Sequence, residues 1–581
     1  MTDDGRRVAA DGWDAWPRAQ WWAVAAAGCF VAALAATWPL VWHLTSAVPL
    51  GTETAPTIPV FDIWTLWWSG TRLWHAYAGL WNAPTFHPTA GAFAFSEPML
   101  LPGALVAPLF AFGAPPALAH NVAMLAILTA NGLAGCRLVR AFGVTRPAAL
   151  LTGALVVTLP IFAKLQGELP VLGVAGALAA LDGVVRFGRS GRTREALQVT
   201  GGLVVQALCC QQLTAFSVLF VGAAVWVALR ERRFSRGAIL RLGSALLLAA
   251  VLVYAVAYVP LVVHRRLGFH RSDEVVQSLS ATPLDFLSRP RNALVGVPPR
   301  ETADTFTGGL FPGLAILILA VVGFFDRRRG GTRSPATRWR WYALGGVVTG
   351  VALALGLNLS LGAFRPFALL RTLPGFGEIR SPFRAAVFAQ LHLVILAAGG
   401  FDVVARQLGR RRSSLLLLIG LLAIAENASV PAPLLAIPRT PRTGWTAFVA
   451  AQPPETVAVH VPFPTGGEVE DFSGEAWRLF AQMDHRHPLV NGYASNFPAE
   501  YREFMFAMGA SFPKPILACA LRTIFGADLL IVDQPWLAAH RQGFQELSAL
   551  LTAAYADSEV AAFRVTPPPD ACPPMRLDIG R

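Results

Sequence analysis

Long apolar runs separated by short polar connections set the pattern of the first three quarters of the chain. The runs fall near 21–43, 118–137, 147–163, 169–187, 197–211, 213–230, 237–263, 308–325, 341–361, 385–405 and 413–429. Runs of about 18 or more apolar residues match the thickness of a bilayer, so eleven membrane spans are expected. Every second connection is rich in arginine: Arg6, Arg7 and Arg18; Arg137, Arg140 and Arg146; Arg186 to Arg194; Arg230 to Arg236; Arg327 to Arg340; Arg406 to Arg412. Cytoplasmic loops carry such an excess, and one orientation satisfies all six clusters. It places the N-terminus (residues 1–20) inside and the C-terminus outside. Met99–Gly113 is also apolar, but it is short and carries Pro102 and Pro108. Counting it as a span would turn Arg137, Arg140 and Arg146 outward, so a re-entrant or interfacial element is expected.

From about residue 431 the pattern changes. Charges of both signs appear and the apolar runs shorten. Residues 456–462, 528–533 and 559–565 read as strands, and 474–484, 498–508 and 535–554 as helices. The expected fold class is an α-helical polytopic membrane protein of about eleven transmembrane helices. The membrane domain covers 21–430, including a long outer loop at 44–117. A small extracytoplasmic α/β domain covers 431–581.

Composition agrees. Of 581 residues, 54% are hydrophobic and 14% charged, against about 25% charged in soluble domains. The net charge of +13 does not point to nucleic acid, because the basic residues sit in clusters between apolar runs. The first run is too long for a cleavable signal and lacks a small-x-small site, so it stays as the first span. Cys29, Cys136, Cys209 and Cys210 lie in apolar runs. Cys519 and Cys572 both fall in the outer domain, where a disulfide is open to them. There is no CxxC and no histidine-rich metal box.

Candidate chemistry concentrates in the first outer loop. Asp62 precedes Trp64, Trp67, Trp68 and Trp74, which share one helical face; an amphipathic helix on the membrane surface is expected, with its indoles at headgroup level. A carboxylate walled by aromatics at that boundary is placed to act as a base on a lipid-linked substrate. Asp62 also reads as a helix cap. Lys164, Gln166 and Glu168 also read as solvated loop polarity, and Gln390 and His392 as helix-packing contacts. Asp182 and Asp402 read as partners of nearby arginines.

The motifs Phe61-Asp62, Trp67-Trp68, Leu80-Trp81-Asn82-Ala83-Pro84, His87-Pro88 and Ser96-Glu97 resemble the outer loop of the GT-C superfamily. These are integral-membrane glycosyltransferases that use polyprenyl-phosphate-linked sugars. The resemblance continues at Pro283-Leu284-Asp285-Phe286-Leu287, at Arg380-Ser381-Pro382-Phe383-Arg384 and at Val490-Asn491-Gly492-Tyr493. It implies inverting transfer at the outer face of a bacterial cell membrane, with Asp62 as base. The implied partners are a polyprenyl-phosphate sugar donor and membrane lipids. Many members have adjacent acidic residues where this chain has a single Asp, with Glu53 nine residues earlier, so a divalent metal stays open. Cations should meet the departing phosphate. Arg380 and Arg384 are first choices because a guanidinium matches phosphate oxygens with two donors; Lys164 follows, then Arg265, Arg266 and Arg371. Glu53, Arg72, His75, His87, Glu97 and Glu168 complete the expected substrate-binding set. The rival readings are a lipid or glycan transporter and a non-catalytic scaffold with an outer binding domain. Oligomeric state is left open.

Overall fold

Each of the eleven expected spans overlaps helical segments in the computed structural model, which describes residues 16–51, 56–231, 234–290, 292–295, 305–326, 335–373, 375–408, 413–567 and 572. Among these residues, eight helices are long and apolar enough to cross a membrane. Leu314–Phe324 and Ser413–Asn427 are apolar but shorter, and the run near 197–211 lies in the helix Thr193–Cys209. Arg6, Arg7, Arg232, Arg233, Arg327 to Arg329, Arg333, Arg410 to Arg412 and Glu53 lie outside the described residues.

The chain divides into two compact units. The first comprises Met1–His43, Val122–Val256 and Arg271–Leu434, and the second Leu44–Asn121, Ala257–His270 and Leu435–Arg581. The outer loop and the C-terminal segment, expected as separate parts, therefore belong to one body.

In the first unit, large apolar side chains point outward: Leu240, Leu247 and Val251 on the helix Arg236–Arg266 are more than half exposed. An apolar exterior of this size suits lipid rather than water. Small residues let the helices meet. A side chain at Gly400 would lie 1.9 Å from the Leu319 carbonyl oxygen, and one at Gly323 would strike Leu396, the close backbone approach typical of membrane helices. Several polar groups of the spans are tied to neighbouring segments, which buried polar groups in lipid favour. Asn131 donates to the Leu172 carbonyl at 2.7 Å and accepts from Val174 N–H. Gln390 donates to Leu310 O at 3.0 Å, and His392 meets the Tyr342 hydroxyl at 3.3 Å. Asp182 pairs with Arg137 and Arg186, both at 2.7 Å, whereas Asp402 accepts from Thr145 N–H at 3.1 Å.

The second unit begins with α1 (Thr57–Leu73) and α2 (Leu100–Ala111). After the C-terminal segment enters come β1 (Ala458–Val461), α3 (Ser473–His485), α4 (Ala499–Ser511), β2 (Leu529–Asp533), β3 (Leu551–Ala556) and β4 (Val560–Val565). The sheet order is β1-β2-β4-β3. β1 and β2 pair in parallel, Val459 opposite Leu530, and the other pairs are antiparallel. β1 is buried throughout and β2 in all but Asp533, as continuous apolar strands require. The helix expected over 535–554 is instead two short helices, Gln534–Ala539 and Arg541–Glu546, followed by β3. Asp557 decides the matter: its carboxylate accepts from Glu559 and Val560 N–H, both at 2.8 Å, and closes a hairpin onto β4.

One apolar core joins the outer loop to the C-terminal segment, from Val60 and Trp64 through Phe86 and Phe95 to Val459 and Leu530. Backbone pairing stitches the two together. Phe86 N–H donates to Asn491 O at 3.1 Å, His87 N–H to Leu489 O at 2.8 Å, and Asn496 N–H to Phe95 O at 3.1 Å. The Val490-Asn491-Gly492-Tyr493 motif is the seam. A side chain at Gly492 would sit 2.6 Å from the Phe86 ring, and Tyr493 packs edge-on against Phe61 at 5.2 Å.

Cys519 and Cys572 form a disulfide across 53 positions. Closing a loop of that length limits the unfolded chain, so Cys519→Ser should cost about 2–4 kcal/mol. The check is a drop in unfolding temperature that matches the effect of reductant on the wild type. A wild type indifferent to reductant would argue against the bond.

Candidate functional site

Asp62 lies in the second turn of α1, which starts at Thr57. Only residues at the very start of a helix can cap it, so the capping reading does not apply. Asp62 is buried, at 3% exposure, among the aromatic residues of its helix. The expectation that α1 lies on a membrane surface is overturned. Thirteen of its seventeen residues are buried. Trp64 donates to Gln482 Oε1 at 2.9 Å, and Trp68 donates to Leu80 O at 2.7 Å. Only Trp74, beyond the helix end, is well exposed. An indole buries about 150–250 Å², worth up to about 4–6 kcal/mol each at ~25 cal/mol/Å². Three of them hold α1 in the core. The stripe that reads as an amphipathic face is one side of a helix covered all round.

The other loop residues scatter. Glu97 and Phe61 line a small cavity of about 10 Å³, walled also by Trp64, Phe93 and Tyr493, so Glu97 comes close to the segment that carries Asp62. Arg72 sits at the far end of α1, its guanidinium 4.0 Å over the Trp68 ring, and burial lowers its pKa. His75 is exposed and His87 half-buried in the seam. α2 is twelve residues, about 18 Å at 1.5 Å per residue, too short to span a bilayer.

In the first unit, four predicted residues come together. Lys164, Gln166 and Glu168 are all buried, which removes the reading of solvated loop polarity. Arg384 forms an ion pair with Glu168, and its Nη1 donates to Gln212 Oε1 at 2.8 Å. Lys164 Nζ lies 5.8 Å from the Phe383 ring and 5.6 Å from Phe306. Arg271, which sequence reasoning missed, completes the group. Burial lowers its pKa to about 10, and the nearby Arg380 and Arg384 charges push the same way against Glu378. Arg371 supports it by donating to the Arg271 carbonyl at 2.5 Å. Four cations thus share a neighbourhood with two carboxylates. The Nε–H groups of Arg271 and Arg384 are buried and have no hydrogen-bond partner. Such a surplus of buried donors and charge is suited to an anion. Arg265 and Arg266 lie in the second unit, where Arg266 donates to Ala90 O at 2.7 Å. The Pro283-Leu284-Asp285-Phe286-Leu287 motif is a 3₁₀ turn whose Asp285 accepts from Thr282 N–H at 2.6 Å and Thr307 Oγ1 at 2.9 Å. It builds the loop rather than the cluster.

The second unit holds another set of buried ionisable groups. Arg478 pairs with Glu475 at 2.5 Å and lies 3.7 Å from Asp533, at the end of β2. Burial raises both carboxyl pKa values against the pull of Arg478. Nearby, burial lowers the pKa of His485 to about 3 and also depresses His460 and His487. These histidines are neutral in the fold, so their contribution is intact above about pH 6.5 and is lost as pH falls toward the folded values. Glu475 and Asp533 act in the opposite sense. The clean comparison is therefore His485→Gln against wild type: between about pH 7 and 5 the variant should lose less stability, by up to about 1.4 kcal/mol per pH unit. Parallel stability profiles would remove His485 from that account. Among the described residues, no three His, Cys, Asp or Glu side chains gather as a metal site requires.

The order of apolar helices, the long loop after the first of them and the α/β segment together make a fold that a solved membrane protein shares. The particular structure that shows it is the arabinofuranosyltransferase AftD from Mycobacteria, which matches 95% of this chain at 17% identity with a TM-score of 0.56. The match covers 40% of AftD, so this chain spans about two fifths of that protein. The Archaeoglobus fulgidus oligosaccharyltransferase tethered with an acceptor peptide matches 95% of this chain and 74% of its own at 13% identity, with a TM-score of 0.46. No family model and no curated protein matches the chain.

Proposed function

We propose that the protein is an inverting glycosyltransferase. It moves a sugar from a polyprenyl-phosphate donor to an envelope lipid, glycan or protein acceptor at the outer face of the membrane. The observation that carries this reading is the partly buried cation cluster of Lys164, Arg271, Arg380 and Arg384 in a chain with the GT-C fold. In the proposed reaction Asp62 takes the proton of the acceptor hydroxyl, and the acceptor oxygen attacks the anomeric carbon. The bond from that carbon to the phosphate oxygen breaks, and the phosphate leaves as an anion. The Cys519–Cys572 disulfide supports an oxidising, extracytoplasmic setting for the second unit. The ties that bind Asn131, Gln390 and His392 to neighbouring helices speak against a transporter, which needs ionisable groups at mid-membrane for its cargo.

The test is to supply purified protein in lipid with labelled polyprenyl-phosphate sugars, an arabinofuranosyl donor first because AftD is an arabinofuranosyltransferase. A new glycosidic product with inverted configuration is expected. Arg271→Gln should raise KM for the donor about tenfold or more, the cost of losing a charge-assisted contact to phosphate. If no donor yields product, the reading fails; if KM is unmoved, the cluster is not the phosphate site.

A further inference from the structure

Large apolar side chains are exposed very unevenly over the second unit. In the C-terminal segment, among the described residues 435–567, Ile516 is the one large apolar side chain left exposed. The short helix α2 and its cap expose three: Leu101, Leu105 and, at 88%, Phe112. The other exposed residues of α2 are Pro108 and Ala111, again apolar. No charged residue occurs between Glu97 and Arg137. An uncharged ridge of this kind is a surface for lipid or protein rather than for water.

The chain on either side of α2 decides between them. Ahead of it, residues 90–94 are tied to the end of the helix Arg236–Arg266. His264 Nε2 lies 2.8 Å from the Ala94 carbonyl oxygen, and Arg266 donates to Ala90 O at 2.7 Å. Further back on the same helix Tyr258 and Val262 are exposed, so the apolar surface ends, and the polar one begins, between Val262 and Arg265. Behind α2, residues 112–115 lead into the helix Pro116–Ala141, which is long and apolar enough to cross a membrane. Four residues reach about 14 Å at most. The chain thus enters α2 from the end of one span and leaves it at the start of another, which keeps α2 at the edge of the bilayer.

α2 is also fastened to α1. A Cβ at Gly103 would strike Ser69 Oγ, and one at Gly70 would lie 2.8 Å from the Gly103 carbonyl oxygen, so the two helices meet backbone to backbone. α1 itself is covered on both faces, which leaves α2 as the element of the pair with a surface to offer.

We propose that α2 is the lipid-docking element of the second unit. Its ridge of Leu101, Leu105 and Phe112 sinks into the leaflet at this end of the spans, about 5–10 Å into the boundary between headgroups and acyl chains, as interfacial helices do. α1 rides on its inner side, one layer away from lipid. The docking does not depend on the proposed transfer.

The test uses the full chain in phosphatidylcholine nanodiscs, with the fluorophore NBD attached at Leu105→Cys, at Phe112→Cys or, as the reference in water, at the exposed Glu546→Cys. Wild type treated with the same label sets the background from its own thiols. Phospholipid carrying a nitroxide on its acyl chain quenches from within the leaflet, and iodide quenches from water. The probes at 105 and 112 should be quenched by the nitroxide lipid and reached by iodide about tenfold less readily than the probe at 546, because an ion does not follow them into hydrocarbon. Iodide reaching all three positions alike would overturn the proposal. Shielding of 105 and 112 from both quenchers would overturn it as well, and would mean that protein, such as a second copy of the chain, covers the ridge.

Discussion

Asp62→Asn should reduce glycosyl transfer by about 10²–10⁴-fold, the range over which a positioned general base contributes, while the protein stays folded. The substitution changes charge and basicity with almost no change in shape. Asp62 does not cap α1, since the helix begins five residues earlier at Thr57, so loss of a cap cannot mimic loss of a base. The aromatic packing that holds the helix, with Trp64 on Gln482 and Trp68 on Leu80, is untouched. The comparison should therefore pair turnover with the unfolding temperature. An unchanged temperature with turnover down a hundredfold assigns the proton to Asp62. Turnover within about threefold of wild type would move the base elsewhere, with Glu97, at a cavity shared with Phe61, the next residue to replace.

The second large effect is structural. Arg478→Ala should destabilise the second unit by about 3–5 kcal/mol, the usual cost of removing one partner from a buried ion pair. Arg478 is 8% exposed and serves two carboxylates, Glu475 at 2.5 Å and Asp533 at 3.7 Å. Glu475 has little else to meet its charge. Its Oε1 also accepts from Asn491 at 3.2 Å, but Oε2 has no hydrogen-bond partner. Burial already raises its pKa; without the guanidinium it must fold as the neutral acid or not at all. Chemical unfolding followed by tryptophan fluorescence, with Trp445 and Trp477 in the same unit, gives the measurement. Adding Glu475→Gln to Arg478→Met should restore part of the loss, because the cost is an unmatched charge rather than missing volume. A loss below about 1 kcal/mol for Arg478→Ala would show that the pair is screened by water.

The helices of the first unit were legible because a bilayer imposes one rule on every span, and residues such as Leu240 and Leu247 obey it in plain view. The cation cluster was half legible. Arg380 and Arg384 stand in a motif, but Arg271 is more than a hundred residues away and looks like loop charge until the fold places it beside them. Trp64, Trp67 and Trp68 misled for a different reason. Spacing shows which residues share a helical face, not whether the opposite face is covered too, and here both are. The hairpin of β3 and β4 was hidden because Leu551–Ala556 holds three alanines, residues at home in helices, and only the Asp557 turn gives it away.

The seam between the outer loop and the C-terminal segment bears on how this protein can be taken apart. Thr85 Oγ1 and Phe86 N–H both bond to the Asn491 carbonyl, at 2.9 and 3.1 Å, and Phe86 fills the space that Gly492 leaves open. Residues 435–581 made alone would expose the apolar surface that Trp64, Phe86 and Phe95 cover, and should aggregate rather than fold. Cutting the chain near 435 while leaving both pieces in the same cell is another matter. The N-terminal piece would still carry the loop, and the two could reassemble as a split protein through that seam.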